Sequence, residues 1–110
     1  MPTVKVYYKE REDAKKLLPM IPKLKEHLAK ALSCEDIQLK VDEISVRLIK
    51  TDGNGMLGRV EVEITAHAFA ERVKEQDEIC RNVAKFIGGQ DPSIGEVKTW
   101  LILCELGHSW

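Results

Sequence analysis

The chain has 110 residues, 44% of them hydrophobic and 32% charged, with a formal net charge of -1 at pH 7. This balance fits one soluble globular domain and excludes a disordered chain. It also lacks the basic surplus that nucleic-acid binding through phosphates requires. Cys34, Cys80 and Cys104 lie far apart in apolar stretches with no C-x-x-C spacing. Neither a zinc site nor a disulfide framework is expected, and the three read as reduced core residues of a cytoplasmic protein. There is no signal-peptide pattern, and no apolar run approaches the ~20 residues of a membrane span.

The first element is TVKVYY, residues 3–8, which alternates and is rich in β-branched and aromatic types, as a strand does. Residues 11–33 switch to helical spacing, with Leu17, Leu18, Ile21, Leu24, Leu28, Ala31 and Leu32 forming one apolar stripe. Pro19 and Pro22 interrupt its early part. The main helix is therefore expected from about residue 20 to 33, with a turn or kink before it. Residues 44–50, ISVRLIK, form a second strand. Asp52-Gly53 and Asn54-Gly55 then signal a turn rather than a phosphate loop, because RVEVEIT, residues 59–65, is another strand and not a helix.

A second helix is expected over residues 70–87, with Val73, Cys80, Val83, Ala84 and Ile87 on its apolar face. GGQDPSIG punctuates the chain, EVKTWLILCEL (96–106) is the last strand, and a short GHSW tail follows. The order β-α-β, turn, β-α-β reads as an internal repeat, with halves of about 1–52 and 58–106 in a single domain. EISVRLI at 43 matches EVKTWLI at 96 in pattern, which sets Trp100 where the first half has Arg47.

The expected fold class is α+β, a four-stranded mixed sheet with two helices on one face. Val4, Val6, Ile44, Val46, Leu48, Val60, Val62, Ile64, Val97, Leu101 and Leu103 share one set of alternating strand positions and should lie under the helices. The other set includes Lys5, Tyr7, Ser45, Arg47, Glu61, Glu63, Lys98 and Trp100. With Ile49, Ile102 and Cys104 it is too apolar for a wholly wet face, which favours an oligomer.

His27 reads as solvated. His67, near Arg72, is either a pocket or a loop residue, and His108 lies in the tail. The three histidines have no metal-ligand spacing, so no metal is expected. The carboxylate-rich stretches 10–13 and 75–78 read as solvated helix termini. Pro2 is either a strand-start proline or, if Met1 is removed, a free secondary amine able to act as a base.

The opening Met1-Pro2, which leads directly into a strand, resembles the tautomerase superfamily. So do the β-α-β unit closing on Ser45-Val46-Arg47-Leu48-Ile49 and the duplication to about this length. That family includes 4-oxalocrotonate tautomerase, 5-carboxymethyl-2-hydroxymuconate isomerase and macrophage migration inhibitory factor. The resemblance implies a cofactor-free enzyme and a homotrimer with pockets built across subunits. Pro2 would be the general base on a small carboxylate-bearing enol or 2-hydroxy-dienoate acid. Arg47 would be the catalytic arginine, with Arg11, Arg72 and Trp100 as substrate-binding candidates. Arg11 sits one residue out of the family's register. Arg47 also reads as a strand arginine paired with Glu61 or Glu63, Arg11 and Arg72 as surface arginines, and Trp100 as an interface residue.

Gly58 or Arg59 stands where a second proline would be, so one proline site per chain is expected. Decarboxylation or hydration of a small unsaturated or β-oxo acid would use the same residues with a protonated proline. The alternative is a non-catalytic binding domain of tautomerase or ferredoxin-like fold, since the latter shares the order βαββαβ.

Overall fold

Four strands, β1 (Thr3–Tyr8), β2 (Ser45–Lys50), β3 (Val60–His67) and β4 (Val97–Cys104), form one sheet in the order β2-β1-β3-β4. The structure is a computed structural model that describes residues 2–34, 37–52 and 58–105. The expected Asn54-Gly55 turn, the final Leu106 of the last strand, His108 and the GHSW tail lie outside the described residues. β1 pairs with β2 in parallel, β3 pairs with β4 in parallel, and an antiparallel β1–β3 ladder joins the two units. Parallel pairing within each β-α-β unit is the tautomerase arrangement. It rules out the ferredoxin-like alternative, whose sheet does not pair strands this way.

The helical layer is more broken than the sequence pattern implied. α1 (Arg11–Leu17) runs through a 3-10 turn at Leu18–Met20 into α2 (Ile21–Leu32). Pro19 occupies that turn and Pro22 the first turn of α2, where a missing N–H costs nothing. Residues 11–17 are thus helical, and the bend falls where the prolines stand. The second stretch divides into α3 (Ala70–Lys74) and α4 (Gln76–Gln90). The break is at Glu75, whose φ of -105° and ψ of 14° leave the helical region. It takes Val73 out of phase with α4, so Val73 is 52% exposed rather than part of the apolar face. Gly88 and Gly89 belong to the last turn of α4, and the stop comes at Asp91, whose side chain accepts from Ser93 N–H.

Both helical stretches cover the same face of the sheet. Val4, Val6, Val60, Val62 and Ile64 are fully or almost fully buried against Leu17, Leu24, Leu28, Val83 and Ile87. Val46, Leu48, Val97 and Leu103 pack against this core from the edge strands, half-buried. The opposite face is not covered by any described element of the chain, and on it Trp100 is 42% and Ile102 47% exposed. The ladders set Arg47, Lys5, Glu63 and Trp100 abreast in one row across all four strands of that open face.

Candidate functional site

Pro2 precedes β1, one of the two central strands, and is buried. Its carbonyl accepts the Ser45 N–H at 3.2 Å, which fixes it at the start of the β1–β2 ladder. By strand alternation it stands on the helix-covered side with Val4 and Val6. Proline suits this place because no ladder donor is lost there.

Arg72 lies at the same end of the sheet and is 3% exposed. Its Nε donates to the Leu32 carbonyl at 2.8 Å and its Nη1 to the His67 carbonyl at 2.9 Å. The guanidinium sits 4.7 Å from the Phe69 ring centroid. Burial lowers the Arg72 pKa from its ordinary value, and the neighbouring Cys34 thiol acts in the opposite direction. Arg72 thus caps the last carbonyl of α2 and ties it to the end of β3, a place unlike the surface position read from the sequence. His67 packs against Phe69, with ring centroids 4.6 Å apart.

The other predicted residues stand elsewhere. Arg47 is exposed in the middle of β2 on the open face, facing Lys5 in register. It is about 10 Å along the sheet from Pro2 by strand rise, and on the other side of it. In register Arg47 faces Lys5 rather than Glu61 or Glu63, which lie on β3 beyond β1. Arg11 opens α1 beyond the far end of β1, roughly 25–30 Å of extended chain from Pro2. Trp100 lies on the edge strand β4. It borders a groove of about 490 Å³ against α4 that Gln76, Cys80, Arg81 and Thr99 also line. In that groove Gln76 Nε2 donates to the Leu101 carbonyl at 3.0 Å. Burial, and then Asp77, push the Cys80 thiol pKa up, away from reactivity. Within one chain, Pro2 and Arg72 share an end, Arg47 and Trp100 share a row, and Arg11 is remote from both.

Two further placements, besides that of Arg72, differ from the sequence reading. Asp13, read as solvated, is fully buried, and Arg59 Nε donates to its Oδ2 at 2.8 Å. His27, also read as solvated, stacks on Phe86 at 4.7 Å, and its Nε2 is buried without a hydrogen-bond partner. Local sequence carried no signal for either, because both depend on residues supplied by the other half of the chain. Among the described residues, no group of three His, Cys, Asp or Glu side chains is arranged to hold a metal. No described helix is long and apolar enough to cross a membrane.

No family sequence profile matches the chain, and no curated protein sequence matches it. Solved structures do match its fold. A macrophage migration inhibitory factor-like protein from Entamoeba histolytica aligns at 10% identity and TM-score 0.63, over 98% of this chain and 95% of that one. A fused 4-OT that forms an asymmetric trimer aligns at 12% identity and TM-score 0.70, over 97% and 92%. A member of the cis-3-chloroacrylic acid dehalogenase family aligns at 8% identity and TM-score 0.57, over 94% and 75%. The fold implied by the opening Met1-Pro2 and the strand arginine is the fold observed: the α+β architecture of the tautomerase superfamily.

Proposed function

We propose that this chain, which has the tautomerase fold, is a cofactor-independent tautomerase that moves a proton on a small enol or 2-hydroxy-dienoate acid. The observation that carries this is the burial of Pro2 at the head of a central strand, held there by Ser45. Once Met1 is removed, the Pro2 nitrogen is a secondary amine in an apolar setting. An α-amino group ordinarily titrates near 7.7 to 8.0, and burial disfavours its charged form. Such an amine takes a proton from the enol hydroxyl and returns it to the conjugated carbon, near the optimum for proton transfer at neutral pH.

The substrate carboxylate needs a cation, and a bidentate guanidinium is the fitting partner. Arg47 and Arg11 are the candidates, and each reaches a Pro2 only if a neighbouring copy supplies it. A homotrimer joins the open face and edges of one chain to those of the next, and the fused 4-OT noted above is itself a trimer, an asymmetric one. Trp100 would then wall the pocket from an adjacent subunit. Arg72 is assigned to support rather than to substrate contact, because it is buried and its Nε and Nη1 already serve main-chain carbonyls. The free thiols of Cys34, Cys80 and Cys104 fit a reducing cytoplasmic setting.

A second reading is favoured by the fold shared with a chloroacrylic acid dehalogenase relative. There Pro2 would stay protonated and serve hydration or decarboxylation. A pH–rate profile separates the two, since activity rises with deprotonation of Pro2 in the first and falls in the second. The direct test is turnover of small enol acids followed by loss of the enol absorbance. Pro2→Ala and Arg47→Ala should each lower kcat/KM by about 100-fold or more while leaving the denaturation midpoint in place. Full turnover in both variants contradicts the assignment.

A further inference from the structure

We infer that Arg72 is a positioning residue whose buried charge keeps the Pro2 amine neutral near pH 7. This rests on the reading of Pro2 as a free N-terminal base, and it selects base chemistry over the protonated-proline alternative.

Arg72 and Asp13 are the charged residues that are buried among those described, and they stand at opposite ends of the sheet. The Asp13 carboxylate is neutralised by Arg59. Among the described residues, the partners of Arg72 are two carbonyl oxygens, an aromatic face and a thiol, none of them a carboxylate. The positive charge is therefore held in place by dipoles, and its field extends into the surrounding apolar layer.

Pro2 lies in that layer. Thr3 faces Thr65 across the β1–β3 ladder, so Pro2 comes one residue beyond that pair and His67 two. With strands about 4.8 Å apart and a rise of about 3.4 Å per residue, the guanidinium on the His67 carbonyl is within roughly 10 Å of Pro2. At an effective dielectric constant of about 20, a unit charge at that distance shifts an amine by about one pH unit. The sign is downward, because a cation disfavours a second cation beside it. The other titratable groups described at this end include Cys34 after α2, Asp42 and Glu43 before β2, His67 closing β3, Glu71 on α3, Cys104 closing β4 and Glu105 after it. The carboxylates act against Arg72, but Asp42, Glu71 and Glu105 are exposed and Glu43 half-buried, so solvent screens them. None of these combines burial with a permanent positive charge.

The clamp also fixes geometry. Leu32 ends α2 and His67 ends β3, so one side chain ties together two of the elements that flank Pro2. Charge and geometry are separable by substitution. Glutamine retains an N–H₂ donor for a carbonyl but carries no charge, whereas lysine keeps the charge and loses the planar fork.

The test is an NMR titration of the Pro2 amine in the full-length chain, ¹⁵N-labelled at proline and produced with Pro2 as its first residue. The wild-type amine should titrate below about 7.7, the ordinary α-amino value. Arg72→Gln should raise it by about one unit, and Arg72→Lys by much less. The proposal is overturned if the wild-type amine titrates at or above the ordinary value, if Arg72→Gln leaves it unmoved, or if both variants shift it equally. Should Arg72→Gln fail to fold, Arg72→Met, which keeps the apolar stem without the charge, takes its place with the same expected rise of about one unit, because burial alone already lowers the wild-type amine. No turnover enters the titration, so its failure is distinct from failure of the tautomerase assignment, which is read from enol-acid kinetics.

Discussion

Arg59, just before β3, reaches a carboxylate on α1: its Nε lies 2.8 Å from Asp13 Oδ2, and the Asp13 side chain is fully buried. Arg59 Nη1 also donates to the Ser93 carbonyl at 3.2 Å, so this one side chain joins α1 and the 3-10 turn (Pro92–Ile94) before β4 at the end of the sheet opposite Pro2. Lys16 approaches the other oxygen of Asp13 at 3.9 Å, and that oxygen has no hydrogen bond.

Removing either member of this pair should have unequal consequences. Arg59→Met leaves a buried carboxylate without its main cation. Asp13→Asn leaves a neutral amide and an arginine that is 39% exposed and can turn to water. The melting temperature should therefore fall further in Arg59→Met than in Asp13→Asn, and the double variant should recover part of the loss. Equal losses that add in the double variant would show that the pair is not coupled.

Stability should decline in mild acid because of His27. Burial, and then the nearby Lys30, lower its pKa in the folded chain from the ordinary 6.5. The unfolded chain thus binds the proton more readily than the folded one. The contribution of His27 is fully present above the unfolded value near 6.5 and is lost as pH falls through the lower folded value. A denaturant midpoint measured from neutral pH down to about pH 5, above the range of ordinary carboxylates, should fall in the wild type and flatten in His27→Phe. An unchanged slope in that variant would assign the acid sensitivity to other groups.

The open face should behave as an interface. Trp100 and Ile102 are 42% and 47% exposed on neighbouring positions of edge strand β4. Placing charge there with Trp100→Glu and Ile102→Lys should convert a trimer into monomers in sedimentation, with the fold retained. A wild-type chain that sediments as a monomer at micromolar concentration would remove the cross-subunit pocket.

Alternation of Val4, Val6, Val60, Val62 and Ile64 made the strands and their buried face legible, because a sheet covered on one side imposes period two on its residues. The leucine stripe of α2 was legible for the corresponding helical reason. The break at Glu75 is not legible, since a backbone excursion there leaves no mark in the apolar pattern, which therefore places Val73 on the buried face. Asp13 and His27 went unrecognised because burial of a polar side chain is decided by a tertiary partner, Arg59 in one case and Phe86 in the other. For the candidate site, the sequence picked out the residue types at Pro2, Arg47, Arg11, Arg72 and Trp100. Strand parity and sheet length, which put Arg47 on the opposite face and Arg11 at the opposite end from Pro2, emerge once the strands are paired.

The central claim is that the Pro2 nitrogen is a free base, and the intact mass of the chain purified from its own host tests it most directly. A mass lacking the initiator methionine is the predicted result, and it makes Pro2 a secondary amine at the head of β1. A mass that retains methionine would make that nitrogen a tertiary amide, leave Pro2 as a strand-start residue and contradict the catalytic account.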